Sequence, residues 1–172
     1  MCGIVGYIGR EQAAPILLNG LSRLEYRGYD SAGICVAADG VLHVEKCKGR
    51  LANLEEKTEH GALLPGTLGI GHTRWATHGE PNDINSHPHV SQNGKVALVH
   101  NGIIENYLEI REFLEEKGVQ FTSQTDSEVV AQLLEYCLGL DEVHCMQDAI
   151  YMVLHRIEGA YAFGIVCADD PE

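Results

Sequence analysis

The strongest constraint on the fold is the order in which strand-like and helix-like segments follow one another. The periodicity of apolar residues predicts about seven strands and four or five helices. The strands come in consecutive, hairpin-like runs and do not alternate with helices, so antiparallel sheets with segregated helices are expected. Because several strands are apolar on both faces, the sequence predicts an α+β fold in which two stacked, mainly antiparallel sheets lie between helix layers.

Turn and cap residues set the expected ends of these elements. Asp39-Gly40 is a hairpin signal, Asn106 is expected to cap a helix, and Gly118 is expected to end that helix. The predicted strands cover residues 3–9, 34–37, 41–47, 68–73, 95–100 and 160–167, and the predicted helices cover residues 12–26, 51–58, 106–117 and 146–156, with one more beginning at 125 or 126.

One long segment, residues 74–93, has little periodicity. It holds the single tryptophan, Trp75, and three of the nine histidines, His78, His87 and His89. A loop of this length in a compact domain is usually functional or disordered. Its aromatic and histidine content argues against disorder, so a functional loop is predicted.

Composition excludes several classes of function. The chain of 172 residues has 25 acidic and 12 basic residues, a net charge of −13, which argues against nucleic acid and anionic membrane surfaces as partners. No apolar run approaches the ~20 residues of a membrane-spanning helix, and no signal peptide is recognisable. The six cysteines form no Cys-x-x-Cys pair, and Cys137, His144 and Cys145 fit no zinc spacing. Reduced cysteines, a cytoplasmic location and the absence of metal and cofactor are therefore predicted.

Cys2 is the candidate nucleophile. If Met1 is removed, this residue holds both a thiol, with a pKa near ~8.5, and a free α-amine, with a pKa near ~7.7–8.0. The amine can then serve as the base for the thiol near neutral pH. The alternative is that Cys2 is a free cysteine that packs as a small hydrophobic residue.

Polar residues at four further places can be interpreted together. They are Arg27 with Asp30, Arg74, Asn101 with Gly102, and Asp126. Each place has an ordinary explanation, in the same order: a loop ion pair, an exposed charge, a tight hairpin turn and a helix N-cap.

Together these residues supply what an amidase for amino acids needs. The guanidinium of Arg74 can bind an α-carboxylate in a bidentate manner, and the carboxylate of Asp126 can bind an α-ammonium group. The side-chain amide of Asn101 and the backbone N–H of Gly102 can both donate to a tetrahedral oxyanion. A glycine also lets the backbone approach a substrate closely.

Five segments resemble those of a known protein family, and this resemblance spans the whole chain. They are CGIVG at residues 2–6, RGYDSAG at 27–33, HTRWATHG at 72–79, HNGIIEN at 100–106 and TDSE at 125–128. These segments resemble the glutaminase domain of the class II, N-terminal-nucleophile glutamine amidotransferases. The second and third segments are most similar to the glucosamine-6-phosphate synthase branch of that family.

The resemblance implies a four-layer αββα fold and L-glutamine as substrate. It implies that Cys2 attacks the side-chain amide, that ammonia leaves, and that water releases glutamate from the thioester. In this family the position of Trp75 belongs to a mobile loop that gates an ammonia channel. The resemblance assigns Cys2, Asn101, Gly102 and Arg27 to catalysis, and Arg74, Trp75, Thr77, His78, Gly102 and Asp126 to substrate binding.

The resemblance also implies partners. Residues 1–172 are expected to be the glutaminase domain, with the C-terminal sugar-isomerase domains of the full-length chain absent, and the full-length protein is expected to be a homo-oligomer. Two alternatives stay open: the glutaminase domain of another class II member, such as phosphoribosyl-pyrophosphate amidotransferase, or a non-catalytic glutamine-sensing domain. The presence of Cys2, Asn101 and Asp126 disfavours the sensor.

Overall fold

The computed structural model describes residues 2–75 and 82–169, which form two sheets and the helices that cover them. The strands are β1 (Gly3–Ile8), β2 (Ser31–Ala38), β3 (Val41–Lys48), β4 (Leu68–Arg74), β5 (His89–Val90), β6 (Val96–Ile104) and β7 (Gly159–Cys167). The helices are α1 (Ala13–Ser22), α2 (Leu51–Lys57), α3 (Tyr107–Glu116), α4 (Asp126–Leu138) and α5 (Met146–Leu154), with a 3₁₀ turn at Glu25–Arg27.

Both sheets are antiparallel. The first sheet has the strand order β1-β4-β2-β3, and the second has the order β5-β6-β7. The predicted hairpin between β2 and β3 is confirmed, since Asp39 and Gly40 have φ values of 51° and 73°. Positive φ at both central residues is the geometry of a tight two-residue hairpin turn, which matches the twist of the strands.

Three apolar clusters separate four layers. One joins α1 and α2 to the outer face of the first sheet, and another joins α3, α4 and α5 to the outer face of the second sheet. A third cluster lies between the sheets and is formed by Cys35, Ile70, Ala97, Val99 and Val166. The predicted α+β architecture, two stacked antiparallel sheets between helix layers, is therefore confirmed.

The alternation of side chains along β6 decides which residues meet the first sheet. Ala97 and Val99 belong to the cluster between the sheets, whereas Leu98 belongs to the cluster under the helices. Since neighbouring residues of a strand point to opposite faces, Asn101 lies on the face toward the first sheet, and His100 lies on the face toward α4.

The tight-turn interpretation of Asn101-Gly102 is wrong, because β6 runs through both residues. In the pairing with β7, Asn101 lies opposite Ala162 and Gly102 lies opposite Tyr161. Gly102 has a φ of 128°, and a Cβ there would lie 2.0 Å from the carbonyl oxygen of Ala160. The glycine is required by this strained strand conformation, and the predicted strand 95–100 ended too early.

The helices α3 and α4 begin where the sequence predicts, but their first residues differ in how they cap the helix. Thr125 is the N-cap of α4, where its Oγ1 accepts a hydrogen bond from Glu128 N at 3.3 Å, so Asp126 is the first helical residue and not the cap. Asn106 occupies the predicted N-cap position of α3, but its side chain makes no cap hydrogen bond. Its amide instead donates to the carbonyl oxygen of Arg156 at 2.7 Å and accepts from Glu158 N at 2.9 Å, which ties α3 to the start of β7.

Candidate active site

A cavity of about 570 Å³ opens where the ends of both sheets meet α4. Most of the residues predicted for the site line it. They are Cys2, Arg27, Arg74, Trp75, Asn101, Gly102 and Asp126. Thr77 and His78 lie outside the described residues. The structure thus brings together residues that are up to 124 positions apart in the chain, from Cys2 to Asp126.

Cys2 lies directly before β1 and is half-buried. Its Sγ accepts a hydrogen bond from the backbone N–H of Trp75 at 3.1 Å, and its carbonyl oxygen accepts one from Asn101 Nδ2 at 3.2 Å. These two contacts tie Cys2 to Trp75, which follows β4, and to Asn101 of β6. By contrast, Cys35 is buried between the sheets, and burial raises the pKa of its thiol to about 12, which makes it a poor nucleophile.

The side-chain amide of Asn101 has a defined orientation. His72 Nε2 lies 2.8 Å from Asn101 Oδ1 and 3.1 Å from the carbonyl oxygen of His100. Both partners are acceptors, so Nε2 carries the ring proton and donates to them. The amide nitrogen then points toward the carbonyl oxygen of Cys2, and its second hydrogen is available to an oxyanion in the cavity.

Arg74 and Asp126 bring opposite charges to the cavity. Arg74 ends β4 and is 4% exposed, while Asp126 opens α4 and is 5% exposed. Burial lowers the pKa of Arg74, and the nearby Cys2, Asp30 and Asp126 oppose that shift. Asp126 Oδ2 accepts a hydrogen bond from Ile104 N at 2.8 Å, which holds the carboxylate in place. A cation and an anion on one small cavity can bind a zwitterionic amino acid.

Arg27 and Trp75 form the rim of the cavity. Arg27 belongs to the 3₁₀ turn, and Trp75, which is 47% exposed, makes an edge contact with the ring of Tyr29 at 6.0 Å between centroids. Gly28 allows the turn to approach the main chain closely, because a Cβ there would lie 2.8 Å from the carbonyl carbon of Arg74. The glycine-rich segment 27–33 therefore packs against the end of β4.

Comparison with a family model identifies the chain. The model described as "Glutamine amidotransferase domain" matches residues 72–172, more than half of the chain. The chain belongs to the glutamine amidotransferase family. The family resemblance predicted from the five sequence segments is thus confirmed, and the domain is of class II.

Two curated relatives of this amidotransferase chain share one name. The chain is 60% identical over 172 residues to a glutamine–fructose-6-phosphate aminotransferase [isomerizing] from Caldanaerobacter subterraneus and 54% identical to one from Clostridium tetani. Each match covers 100% of this chain but only 28% of the relative. The chain therefore spans less than a third of the length of these relatives.

Solved structures confirm the fold of the amidotransferase domain. A glutamine phosphoribosylpyrophosphate amidotransferase from B. subtilis, complexed with ADP and GMP, superposes with a TM-score of 0.81 at 32% identity, over 98% of this chain and 35% of that one. A structure described as the allosteric regulatory enzyme of purine biosynthesis gives 0.82 at 32% identity, over 98% and 36% of the two chains. The fold is that of the N-terminal-nucleophile hydrolases.

Several residues of the amidotransferase site were missed by sequence reasoning. His87, His100, Thr125, Ser127 and Tyr161 also line the cavity. His72 makes the contacts with Asn101 although no role was assigned to it. The signal for His72 was the period of two along β4, which places it on the same face as Ile70 and Arg74, the face that meets the second sheet.

In residues 2–75 and 82–169, no group of three or more His, Cys, Asp or Glu side chains is arranged to hold a metal ion. Among the same residues, no helix is long and apolar enough to cross a bilayer.

Within residues 2–75 and 82–169, four buried histidines lie next to the site: His72, His87, His89 and His100. The rings of His72 and His87 lie 4.2 Å apart between centroids, and those of His87 and His89 lie 4.7 Å apart. Burial lowers the pKa of all four, and that of His72 falls to about 4. All four are therefore neutral at neutral pH.

These histidines make the folded state sensitive to mild acid. In the unfolded chain each histidine has a pKa of about 6.5, so below that pH the unfolded state binds protons that the folded state does not. Stability is then lost as the pH falls from about 6.5 toward the folded values. His72 alone should cost roughly 2 kcal/mol between pH 7 and pH 5, and the others act in the same direction.

Denaturant unfolding at pH 7, 6 and 5 checks this prediction, in a range where most carboxylates stay ionised. We expect the unfolding midpoint to fall steadily. The variant His144→Gln, which changes an exposed histidine, should keep the same pH dependence. A midpoint that does not move between pH 7 and pH 5 contradicts the prediction.

Proposed function

We propose that this chain hydrolyses the side-chain amide of L-glutamine to glutamate and ammonia. The observation that carries the proposal is the common cavity of the Cys2 thiol, the Asn101 amide and the buried charges of Arg74 and Asp126. A nucleophile, an oxyanion donor and a zwitterion clamp are the parts that amide hydrolysis on an amino acid requires.

The reaction begins with the Cys2 thiol. Once Met1 is removed, the α-amine of Cys2 takes the thiol proton, and the sulfur attacks the amide carbon of glutamine. Asn101 Nδ2 and the backbone N–H of Gly102 donate to the oxyanion of the tetrahedral intermediate. The C–N bond breaks, the leaving nitrogen receives the proton, and ammonia departs. Water then attacks the thioester, and glutamate and the free thiol are regenerated.

The remaining residues hold the substrate. Arg74 binds its α-carboxylate, Asp126 binds its α-ammonium group, and Arg27 supports the geometry around Cys2. Trp75 and Gly102 line the bound glutamine. Thr77 and His78, which lie outside the described residues, complete the binding residues in this proposal.

In the longer protein, the ammonia serves to make glucosamine 6-phosphate from fructose 6-phosphate. Relatives that are 60% and 54% identical share the name that supports this role, whereas the phosphoribosylpyrophosphate amidotransferase structure is 32% identical. The proposal includes C-terminal isomerase domains that follow a glutaminase domain at 1–172, a homo-oligomer of the full-length chain and a cytoplasmic location.

The test is to incubate the chain with L-glutamine and to measure glutamate and ammonia. Equal amounts of both products are expected, with L-asparagine as the control substrate that is too short to reach Cys2 from the clamp. Binding of glutamine without turnover would instead identify the chain as a glutamine sensor. For the longer protein, formation of hexosamine phosphate from fructose 6-phosphate distinguishes the two amidotransferase alternatives.

Replacing Asn101 by alanine removes a donor that acts mainly in the transition state. We expect kcat to fall by about 10²- to 10³-fold, with little change in glutamine affinity. Steady-state kinetics and calorimetric binding measure the two effects. Asn93→Ala, at an exposed position, is the matched control and should leave both unchanged. A loss of affinity without a loss of kcat would place Asn101 in the clamp instead.

A further inference from the structure

We infer that His72 is a positioning residue that sets the Asn101 amide with its nitrogen toward the cavity and its oxygen away from it. The kinetic effect expected of His72 rests on the proposed glutaminase function. The orientation of the Asn101 amide does not depend on that function. His72 Nε2 donates to Asn101 Oδ1 at 2.8 Å and to the carbonyl oxygen of His100 at 3.1 Å.

An asparagine amide needs such a partner because its two ends have nearly the same shape. If the amide of Asn101 turned by half a rotation, its oxygen would face the carbonyl oxygen of Cys2 and any oxyanion in the cavity. Its NH₂ group would then face the N–H of His72. Both contacts are repulsive, so the His72 proton and the Cys2 carbonyl together select one orientation.

His72 can donate its hydrogen bond to Asn101 throughout the neutral pH range, because the protonation state of its ring does not change there. The side chain is 1% exposed, and burial lowers its pKa to about 4, so the ring stays neutral at the pH of any glutaminase assay near neutrality. Since Nε2 faces two acceptors, the neutral ring carries its proton there. His72 Nδ1 has no hydrogen-bond partner among the described residues, so the hydrogen bonds of the ring are those that Nε2 makes to Asn101 and His100.

His72 also links the two parts of the proposed site. It lies two residues before Arg74 on β4, so the two side chains share one face of the strand, about 7 Å apart along it. One strand of the first sheet thereby aligns the carboxylate clamp with the oxyanion donor, which belongs to β6 of the second sheet. The contact between His72 and Asn101 thus sets the distance between the group that binds the α-carboxylate and the group that binds the oxyanion.

Three substitutions at one position separate the donor from the packing. In His72→Gln, the amide nitrogen stands close to the place of Nε2 and can still donate to Asn101. In His72→Asn, the amide is too short to reach it, and in His72→Phe, the ring remains but the N–H is lost. We expect His72→Phe and His72→Asn to lower kcat by about 10- to 100-fold with KM for glutamine nearly unchanged, and His72→Gln to recover most of kcat.

A double-mutant cycle tests whether His72 acts through Asn101. Once Asn101 is alanine, His72→Phe should cost little further activity, because the group that it positions is gone. Independent losses that multiply in the double variant would overturn the inference. Equal activity of His72→Gln and His72→Phe would overturn it as well. Exposed His144→Phe is the control, and denaturant unfolding shows that each variant is folded.

Nitrogen-15 NMR of the side chains decides the positioning without any turnover. We expect the wild-type His72 ring to show the Nε2–H tautomer, and the Asn101 NH₂ resonances to move in His72→Phe but not in His144→Phe. Unchanged Asn101 resonances in His72→Phe would overturn the inference. If the wild-type chain released no glutamate, the proposed function would fall, and these spectra would still decide the role of His72.

Discussion

Cys2→Ala is expected to lower the rate of glutamate release by at least about 10⁴-fold while glutamine still binds. The alanine removes the sulfur that forms the thioester, and the methyl group that remains cannot act as a nucleophile. Binding should persist because the proposed clamp, Arg74 and Asp126, is untouched. A glutaminase assay and calorimetry on the same sample measure the two quantities. Cys145→Ser, at the N-cap of α5, is the matched control and should keep full activity.

The same prediction extends to the amino group of Cys2. If the α-amine is the base, the active protein must lack Met1, which intact-mass spectrometry detects. A preparation that retains Met1 should be inactive until the methionine is removed. Full activity with Met1 in place would contradict the amine as base, and a residual rate in Cys2→Ala within tenfold of wild type would contradict Cys2 as nucleophile.

Asp126→Asn and Arg74→Ala are expected to lower kcat/KM by about 150- to 5,000-fold each. Each leaves one charge of the bound zwitterion without its partner in a buried site, and such a loss costs on the order of 3–5 kcal/mol. Asn at 126 keeps a side-chain oxygen for the N–H of Ile104, so the fold should survive the change. Steady-state kinetics should show the loss mainly in KM.

Asp148→Asn is the control for Asp126. Asp148 also lies in the first turn of a helix but is exposed and is not among the residues that line the cavity. Its replacement should leave kcat/KM unchanged. If Asp126→Asn lowered the free energy of unfolding and left the kinetics alone, Asp126 would be a structural residue of α4 and not part of the clamp.

Local sequence patterns were sufficient for most of the fold. The hairpin at Asp39-Gly40, the helix end at Gly118 and the long strands each depend on residues that are near one another in the chain, so their signals can be read locally. The strand β5 was missed because it has only two residues and gives no periodic pattern. Asn101-Gly102 was ambiguous because an Asn-Gly dipeptide usually favours a tight turn, whereas in this protein it lies inside a strand.

The pairing with β7 resolved that ambiguity. A glycine at positive φ is compatible with a turn and with a distorted strand, and only the partner strand distinguishes the two. The same holds for Asp126, since a carboxylate at a helix start resembles an N-cap. Its actual partner, the N–H of Ile104, comes from β6 and lies 22 residues away in the chain.

The amino-acid sequence by itself determined the family, the αββα class and the identity of most candidate site residues, because these depend on local patterns and on motifs. Tertiary structure alone decided how the residues face one another. The stacking of β4 on β6 brings His72 to Asn101, and the edge of β1 brings the Cys2 carbonyl to the same amide. Such contacts join positions 29 and 99 residues apart, and they follow from the packing of whole sheets, which no local pattern encodes.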